Sequence, residues 1–334
     1  MQDLIARLLQ SPKPAISWKV RANVLGEGLT SPEMISLQNE VRDSPLVKEL
    51  MKGVNDPKLN HGRGLYAKWQ GAHWAMASLA DIGYPPADES LLPIKNALLD
   101  FWLQDDFYNE FETDSKAKAY QKDGVPVMQG RHRRCASQQG NTLWILLKLG
   151  LPDARLDNLV ERLLHWQWPD GGWNCDKHPD ASNSSFMETL LPLRGLSLYA
   201  QITGNAGAAK AAERAAEIFL KRHLYKRQGT GELIRPEFTA LHYPLYWHYD
   251  ILAGLKVMAE TGFINDVRCT AALDLLQSKQ LPDGGWPAEK AYYKVSGDIA
   301  LNADFVNWGG TSKNRMNEWV TTDALFVLKQ AGRL

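Results

Sequence analysis

The feature that most constrains the fold is a heptapeptide that occurs twice, at residues 167–173 (QWPDGGW) and 280–286 (QLPDGGW). Pro-Asp-Gly-Gly is turn chemistry, because Pro fixes φ, Asp accepts from backbone amides two residues on, and glycine takes φ values that other residues avoid. A Leu-rich amphipathic stretch precedes each copy, and the Gln and Trp keep the same register. Each copy therefore predicts a link between one helix and the next in a chain of repeated helical hairpins.

With its Gln and Trp in register, this pattern resembles the QW repeat of the terpenoid cyclase and protein prenyltransferase superfamily, which includes the squalene cyclases. Residues 142–147 (TLWILL) and 322–328 (TDALFVL) look like the inner helices of those proteins. The resemblance implies an all-α chain that forms one α/α toroid over residues 1–334, with about six helical hairpins in inner and outer rings. An open, curved stack of helical repeats is the structural alternative.

Apolar periodicity and capping residues predict where the main helices lie. The predicted inner helices are residues 67–82, 137–149, 184–203, 243–261 and 319–332. The predicted outer helices are residues 90–103, 156–166, 206–223 and 266–279, and long loops are expected at about 104–130 and 287–315. Within the helix predicted at 243–261, Tyr246 and Asp250 are four residues apart and would share one face.

Composition limits the partners and the compartment. The chain has 38 basic and 38 acidic residues, so its formal net charge of zero argues against nucleic acid as a partner. Its three widely spaced cysteines indicate reduced thiols in a cytoplasmic protein rather than a disulfide scaffold. The N-terminus lacks the apolar core of a signal peptide, and no run approaches the ~18 apolar residues of a transmembrane segment.

The predicted ring suggests where a substrate would bind. If all hairpins have the same sense, the N-termini of the inner helices gather at one mouth, which favours an anion. Arg131, Arg133 and Arg134 precede the helix predicted at 137–149 and are predicted to hold the anionic end of a substrate; solvated loop charges are the alternative. Aromatic side chains predicted to line the centre can hold an apolar molecule or stabilise a cation, although aromatic residues at helical spacing are also typical of a core. These residues are Trp69, Trp74, Trp144, Tyr246, Trp247 and Trp319.

Ionisable residues within or beside the predicted inner helices are candidates for acid–base catalysis. A carboxyl group in an apolar cavity has a raised pKa, which suits an acid or base near neutrality. Asp250, Glu188, His248 and His73 are the candidates, and Cys135 is a candidate nucleophile. The alternative is a polar pair inside the ring, such as Glu188 or Asp250 with Arg194.

A metal site is a further hypothesis. Cys175, Asp176 and His178 lie in one loop, His242 could join them, and thiolate, carboxylate and imidazole ligands suit zinc. In protein prenyltransferases the Asp and Cys ligands stand just before an inner-helix Ser-Phe. Alignment on residues 185–186 places Ala181 and Asn183 at those positions, so the family's ligands are missing there. Residues 242–250 do look like the family's His-bearing segment, whereas the Asp-rich motifs of both classes of terpene cyclase are absent.

Together these features favour an enzyme that acts on a small hydrophobic or amphipathic molecule, isoprenoid-like or aromatic, that carries an anionic group. The chemistry would be acid–base, of the isomerase, lyase or cyclase type, in a cavity lined by Trp and Tyr. Zinc is the one cofactor suggested, through the alternative of a zinc-dependent, prenyltransferase-like transferase. A non-catalytic toroid that binds a peptide or another protein is the remaining alternative.

Overall fold

A computed structural model describes residues 1–334, and its architecture confirms the all-α prediction. The α-helices, in chain order, are α1 Gln2–Leu9, α2 Pro14–Lys19, α3 Pro32–Asp43, α4 Pro45–Asn55, α5 Ala72–Ile82, α6 Leu92–Trp102, α7 Lys116–Ala119, α8 Ala136–Lys148, α9 Arg155–Trp166, α10 Phe186–Thr203, α11 Ala206–Leu220, α12 Ile251–Glu260, α13 Thr270–Ser278 and α14 Glu318–Gln330. The short strands are β1 Glu110–Glu112, β2 Val125–Met128, β3 Arg131–His132, β4 Lys294–Val295 and β5 Ala303–Asp304. None of the helices combines the length and the apolar character that crossing a membrane requires.

The chain divides into two compact units. The first unit comprises Met1–Glu89 and Arg222–Leu334, and the second comprises Ser90–Lys221. The toroid, and its organisation as a single domain, stay predictions. Each unit contains one copy of the repeated heptapeptide.

The two heptapeptides make equivalent contacts, which explains why the motif repeats. The Gln side chain donates to a carbonyl of its own turn, from Gln167 to Gly171 O at 2.7 Å and from Gln280 to Gly284 O at 2.8 Å. The final indole donates back to the preceding helix, from Trp173 to Leu163 O and from Trp286 to Leu276 O. The backbone N–H of each Trp donates to a Thr in the next helix, Thr189 in α10 and Thr321 in α14. Each copy thus connects its turn by hydrogen bonds to both the preceding and the following helix.

In the first unit, α4 packs on α5, α2 on α3 and α12 on α14. A closed ring of buried charges joins these pairs. Lys19 of α2 lies 2.6 Å from Asp81 of α5 and 2.8 Å from Asp323 of α14. Lys256 of α12 completes the ring, 2.6 Å from the other oxygen of Asp81 and 2.8 Å from that of Asp323. Because both lysines and Asp323 are almost fully buried, the ring fixes the relative positions of four helices.

In the second unit, α10 packs against both α8 and α11. The backbones of α8 and α10 touch, since a Cβ built at Gly140 would lie 2.5 Å from the Cα of Pro192. The loop expected at about 104–130 contains β1, α7 and β2, with β1 parallel to β2 and β2 antiparallel to β3. Because α8 and α10 approach so closely, the first turn of α10 lies beside the start of α8.

Two helices begin five or more residues later than the sequence predicted. The predicted helix at 243–261 was wrong for residues 243–250, because α12 begins at Ile251 and the Asp250 side chain caps it by accepting from Ala253 N at 2.7 Å. Tyr246 and Asp250 therefore do not share a helix face. Likewise α5 begins at Ala72, which leaves Trp69 in the preceding loop.

Candidate functional site

The best-defined polar arrangement in the first unit is built around Asp250, the capping residue of α12. Its Oδ1 caps the helix, and its Oδ2 accepts from the backbone N of His242 at 2.8 Å and from His242 Nδ1 at 2.6 Å. Asp250 is fully buried and His242 is 5 % exposed. A carboxylate oxygen this close to Nδ1 requires a proton on that nitrogen, so Asp250 fixes both the orientation and the tautomer of the imidazole.

The other ring nitrogen, His242 Nε2, is buried and has no hydrogen-bond partner. A proton on Nε2 would create a buried N–H group without an acceptor, which is costly. The arrangement therefore favours the tautomer with its proton at Nδ1 and a lone pair at Nε2. Such a nitrogen, held in a fixed direction and free of protein partners, has the properties of a general base.

A second imidazole, His248, lies in the same segment. Its ring stacks on Tyr292 with 3.5 Å between centroids and 5° between planes, and Tyr292 also meets the edge of His242. Burial, and then the neighbouring His242, lower the pKa of His248 to about 3. Lys68 and Lys290 add to this effect, so His248 is neutral near pH 7.

Aromatic rings form a wall beside these histidines. Trp69 stacks on Tyr246 with 4.9 Å between centroids and 7° between planes, and Trp74 meets the edge of Trp69 at 4.7 Å. The partly buried rings of Tyr66, Trp247 and Tyr293 pack against this cluster. His248 also meets the edge of Trp69, with 5.5 Å between centroids, so the histidines and the wall form one site.

The Tyr246 hydroxyl is committed to the fold. It donates to Asp304 Oδ2, and the Trp308 indole donates to the same oxygen at 2.6 Å. Burial raises the pKa of Asp304, and burial also raises the pKa of Tyr246 well above its usual value. Tyr246 therefore contributes a fixed ring face to the wall rather than a free acid.

The irregular segment 287–315 positions the far side of the site. Its first residues pair with the His242 segment, through a parallel bridge between His242 and Lys290. Further along, Ala303 O accepts from Trp69 N at 2.7 Å, and Tyr292 O accepts from the Trp69 indole at 2.7 Å. The segment thus brings Tyr292 and Lys290 next to His242.

Two lysines border the aromatic wall. The Lys68 ammonium lies 4.7 Å from the ring centroid of Trp247 and 5.2 Å from that of Trp69. The Lys290 ammonium lies 5.1 Å from the ring centroid of Tyr292 and forms an ion pair with Glu237 Oε1 at 4.0 Å. Both side chains are partly exposed. Because Glu237 offsets the charge of Lys290, the positive charge at the edge of this aromatic site comes mainly from Lys68.

The other candidates in the first unit lie around this site or apart from it. His73 is fully buried against Tyr66 and Trp74, and burial lowers its pKa to about 3. Trp319 belongs to a separate cluster, stacked on Tyr243 with 5.2 Å between centroids and beside Trp308. His73 is thus close to the aromatic wall, whereas Trp319 supports the region of the buried charge ring.

The arginines in the second unit are largely engaged with the protein. Arg133 donates to the carbonyls of Ala181 at 2.7 Å and Pro179 at 3.1 Å. Arg134 is buried over the Phe107 ring, and Arg131 donates to Gln129 O. Trp144 lies under the guanidinium of Arg194 with a separation of 3.5 Å. Binding of a substrate anion by these arginines stays a prediction.

The zinc-ligand candidates are distributed differently from the grouping suggested by the loop sequence. Cys175 lies with Cys135 and Glu188, and the ligand atoms of all three are within 4.8 Å of one another. Asp176 and His178 are exposed and form a local turn, in which His178 N donates to Asp176 at 2.9 Å. His242 belongs to the first unit, where it pairs with Asp250.

Sequence reasoning missed several residues of the site around His242. Tyr292, Lys68 and Lys290 lie in irregular segments, and Asp304 lies in the two-residue strand β5, so no periodicity marks the side chains that point inward. The pairing of His242 with Asp250, eight residues further along the chain, has no sequence signature, because an irregular segment brings the two side chains together. Comparison of the chain with protein-family models finds no match, and comparison with curated proteins finds none either.

Proposed function

We propose that this protein is an enzyme that uses His242 to move a proton on an apolar or aromatic small molecule carrying an anionic group. The observation that carries the proposal is the buried Nε2 of His242, which has no hydrogen-bond partner while Asp250 holds the opposite nitrogen at 2.6 Å. In this role His242 Nε2 takes a proton from the substrate and returns it to a different atom, as in an isomerisation or an elimination. General acid–base catalysis of this kind contributes about 10²–10⁴-fold to a rate.

Asp250 acts as a positioning residue in this scheme. It binds Nδ1–H, so the lone pair at Nε2 keeps its direction, and its negative charge stabilises the imidazolium that forms when Nε2 accepts a proton. The surroundings of the pair are buried, so this attraction is less screened than it would be in water. His248, held neutral and stacked on Tyr292, offers a second nitrogen, Nδ1, that also has no hydrogen-bond partner.

The substrate class follows from the surfaces beside the histidines. The partly buried rings of Trp247 and Tyr292, which lie next to His248, suit an apolar, planar or unsaturated group. Lys68 supplies positive charge at the edge of the same site, which suits a carboxylate or phosphate on the substrate. Acid–base chemistry on an anionic, unsaturated molecule therefore matches both features.

The test uses exchange of substrate protons with solvent, which does not require the product to be known. Purified protein in D₂O is incubated with a panel of aromatic and isoprenoid carboxylates and phosphates, and mass spectrometry measures deuterium incorporation and conversion. We expect at least one compound to exchange, and His242→Gln to slow that exchange by about 100-fold or more.

His178→Gln is the matched control, because it removes an exposed imidazole outside the site and should leave exchange unchanged. Equal exchange by the wild-type protein and His242→Gln would contradict the assignment of His242 as the base. Tight binding of panel members without exchange by any of them would favour the non-catalytic alternative.

A further inference from the structure

The second unit contains a cluster of metal-ligating side chains that the proposed function does not use. Cys135 precedes α8, Cys175 follows the first heptapeptide, and Glu188 lies in the first turn of α10. The two cysteines are free thiols, and Cys175 Sγ lies 3.6 Å from Glu188 Oε1. Three side chains of types common at zinc sites, two thiols and one carboxylate, therefore come together from three segments of the chain.

Backbone contacts hold each of the three residues in place. Arg133 and Asn174 pair as a parallel bridge, which brings the segments carrying Cys135 and Cys175 side by side. Ser137 N donates to Glu188 Oε2 at 3.1 Å, which leaves Oε1 directed at Cys175. Because the cluster rests on paired segments and helix ends, its geometry does not depend on a mobile loop.

The spacing agrees with tetrahedral zinc coordination. Zinc–sulfur bonds of about 2.3 Å and zinc–oxygen bonds of about 2.1 Å, separated by the tetrahedral angle, place the sulfur and oxygen ligands about 3.6 Å apart. The separation between Cys175 Sγ and Glu188 Oε1 is 3.6 Å. The third ligand atom, Cys135 Sγ, lies within 4.8 Å of both.

The charges around the cluster also suit a divalent cation. Two thiolates and one carboxylate carry three negative charges, which a zinc ion and the adjacent, buried Arg134 would balance. Glu188 is only 2 % exposed, so its carboxylate is poorly hydrated and benefits from a cation.

We propose that Cys135, Cys175 and Glu188 bind one zinc ion. With three protein ligands the fourth coordination position is open to water or to another small molecule, as in catalytic rather than structural zinc sites. This ligand set differs from the loop residues Asp176 and His178, which are exposed. It also assigns Cys135 as a metal ligand and not as a nucleophile.

The proposal is tested with the full-length protein, reduced and stripped of metal by a chelator. Titration with zinc against a chromophoric chelator gives the stoichiometry and affinity, and titration with cobalt gives an absorption spectrum that reports thiolate ligands and tetrahedral geometry. We expect one metal ion per chain, with thiolate-to-cobalt charge-transfer absorption. Cys135→Ser, Cys175→Ser and Glu188→Gln should each weaken zinc binding by about 100-fold or more. This loss is larger than the one typical of residues that bind a ligand but not the metal itself.

Two variants serve as matched controls. Cys269→Ser removes the remaining thiol, which is buried in the first unit, and should not change zinc affinity. His165→Ala disrupts the separate cluster of Glu110, His132 and His165 and should also leave it unchanged. Circular dichroism confirms that each variant folds, and Glu188→Gln keeps the shape of the side chain.

Three outcomes overturn the proposal. One is the absence of stoichiometric zinc binding by the reduced wild-type protein. Another is an unchanged zinc affinity in folded Cys175→Ser or Glu188→Gln. The third is loss of zinc binding in His165→Ala, which would show that the ion binds at the cluster of Glu110, His132 and His165 instead. Because none of the three ligands belongs to the His242 site, failure here leaves the proposed acid–base function untouched.

Discussion

Asp250 caps α12 and also holds the imidazole of His242, and replacement by Asn separates these two roles. The substitution keeps the shape of the side chain, but it replaces one acceptor oxygen by an N–H₂ group that faces N–H donors. Both carboxylate oxygens accept hydrogen bonds, Oδ1 from Ala253 N and Oδ2 from the backbone and Nδ1 of His242. An Asn oxygen can keep the helix cap, but its amide nitrogen then faces His242. His242 can restore one bond only by moving its proton from Nδ1 to Nε2.

The expected loss of stability follows from these bonds. The bond to the His242 backbone N–H, worth roughly 1.5–3 kcal/mol when the acceptor is charged, is lost. In the variant, the hydrogen bond between residue 250 and Nδ1 of His242 joins two neutral groups, and it is weaker by about 1 kcal/mol than the bond to the charged carboxylate. Asp250→Asn should therefore lower the free energy of unfolding by about 3 kcal/mol, measured by urea denaturation. In the deuterium-exchange assay its rate should fall on the order of 10⁴-fold, because the proton now occupies Nε2.

Asn205→Ala is the control for a helix cap alone. Asn205 caps α11 through a single bond to Ala208 N at 2.9 Å, so its loss should cost about 1 kcal/mol and leave turnover unchanged. A loss of stability in Asp250→Asn no larger than in this control, with exchange activity retained, would contradict both roles of the carboxylate. Such a result would show that the carboxylate does not direct the imidazole.

Three further predictions concern the surrounding fold. Burial lowers the pKa of His73 from 6.5 to about 3, so the unfolded chain binds more protons between these values and stability should fall as pH decreases through that window. Urea unfolding should show a loss of roughly 2 kcal/mol from pH 7 to pH 5 for this group, at about 1.4 kcal/mol per pH unit below 6.5, and His73→Phe should lack that part of the loss. Lys256→Met leaves Asp323 incompletely paired in the buried charge ring and should lower the free energy of unfolding by about 3–5 kcal/mol. The double variant Lys256→Met, Asp323→Leu should recover part of that stability. Losses that simply add in the double variant would contradict the pairing. Gly140→Ala should cost about 1–3 kcal/mol because its Cβ would lie 2.5 Å from the α10 backbone, whereas Gly28→Ala, with no atom within 4 Å, should change stability by less than about 0.5 kcal/mol.

The helices and the repeated turn were predictable because their signals are local. The two heptapeptides carry their turn residues, their Gln and their Trp in sequence, and the structure uses all of them in the same way. Helices α8, α9 and α11 also begin within one residue of the predicted positions. Turn residues and apolar periodicity are therefore enough to predict a segment whose structure is determined by its own residues.

The candidate site was less predictable because contacts distant in sequence decide it. The run of Tyr, Trp and His at 243–249 has helical spacing, but Asp250 begins the helix after that run, and the preceding residues form an irregular segment. The pairing of this segment with 287–315 brings Tyr292 to His248 and Lys290 to the edge of the site. Similarly, Cys135 and Cys175 meet through a bridge between segments about 40 residues apart, which no spacing rule indicates.

The most direct test of the account is the protonation of the two ring nitrogens of His242, observed by nitrogen NMR of the protein labelled with ¹⁵N-histidine and assigned with His242→Gln. We expect the wild-type ring to carry its proton on Nδ1 and a lone pair on Nε2 near pH 7, and we expect Asp250→Asn to reverse this. A wild-type His242 with its proton on Nε2 would contradict the account, because the nitrogen assigned as the base would have no lone pair to accept a proton.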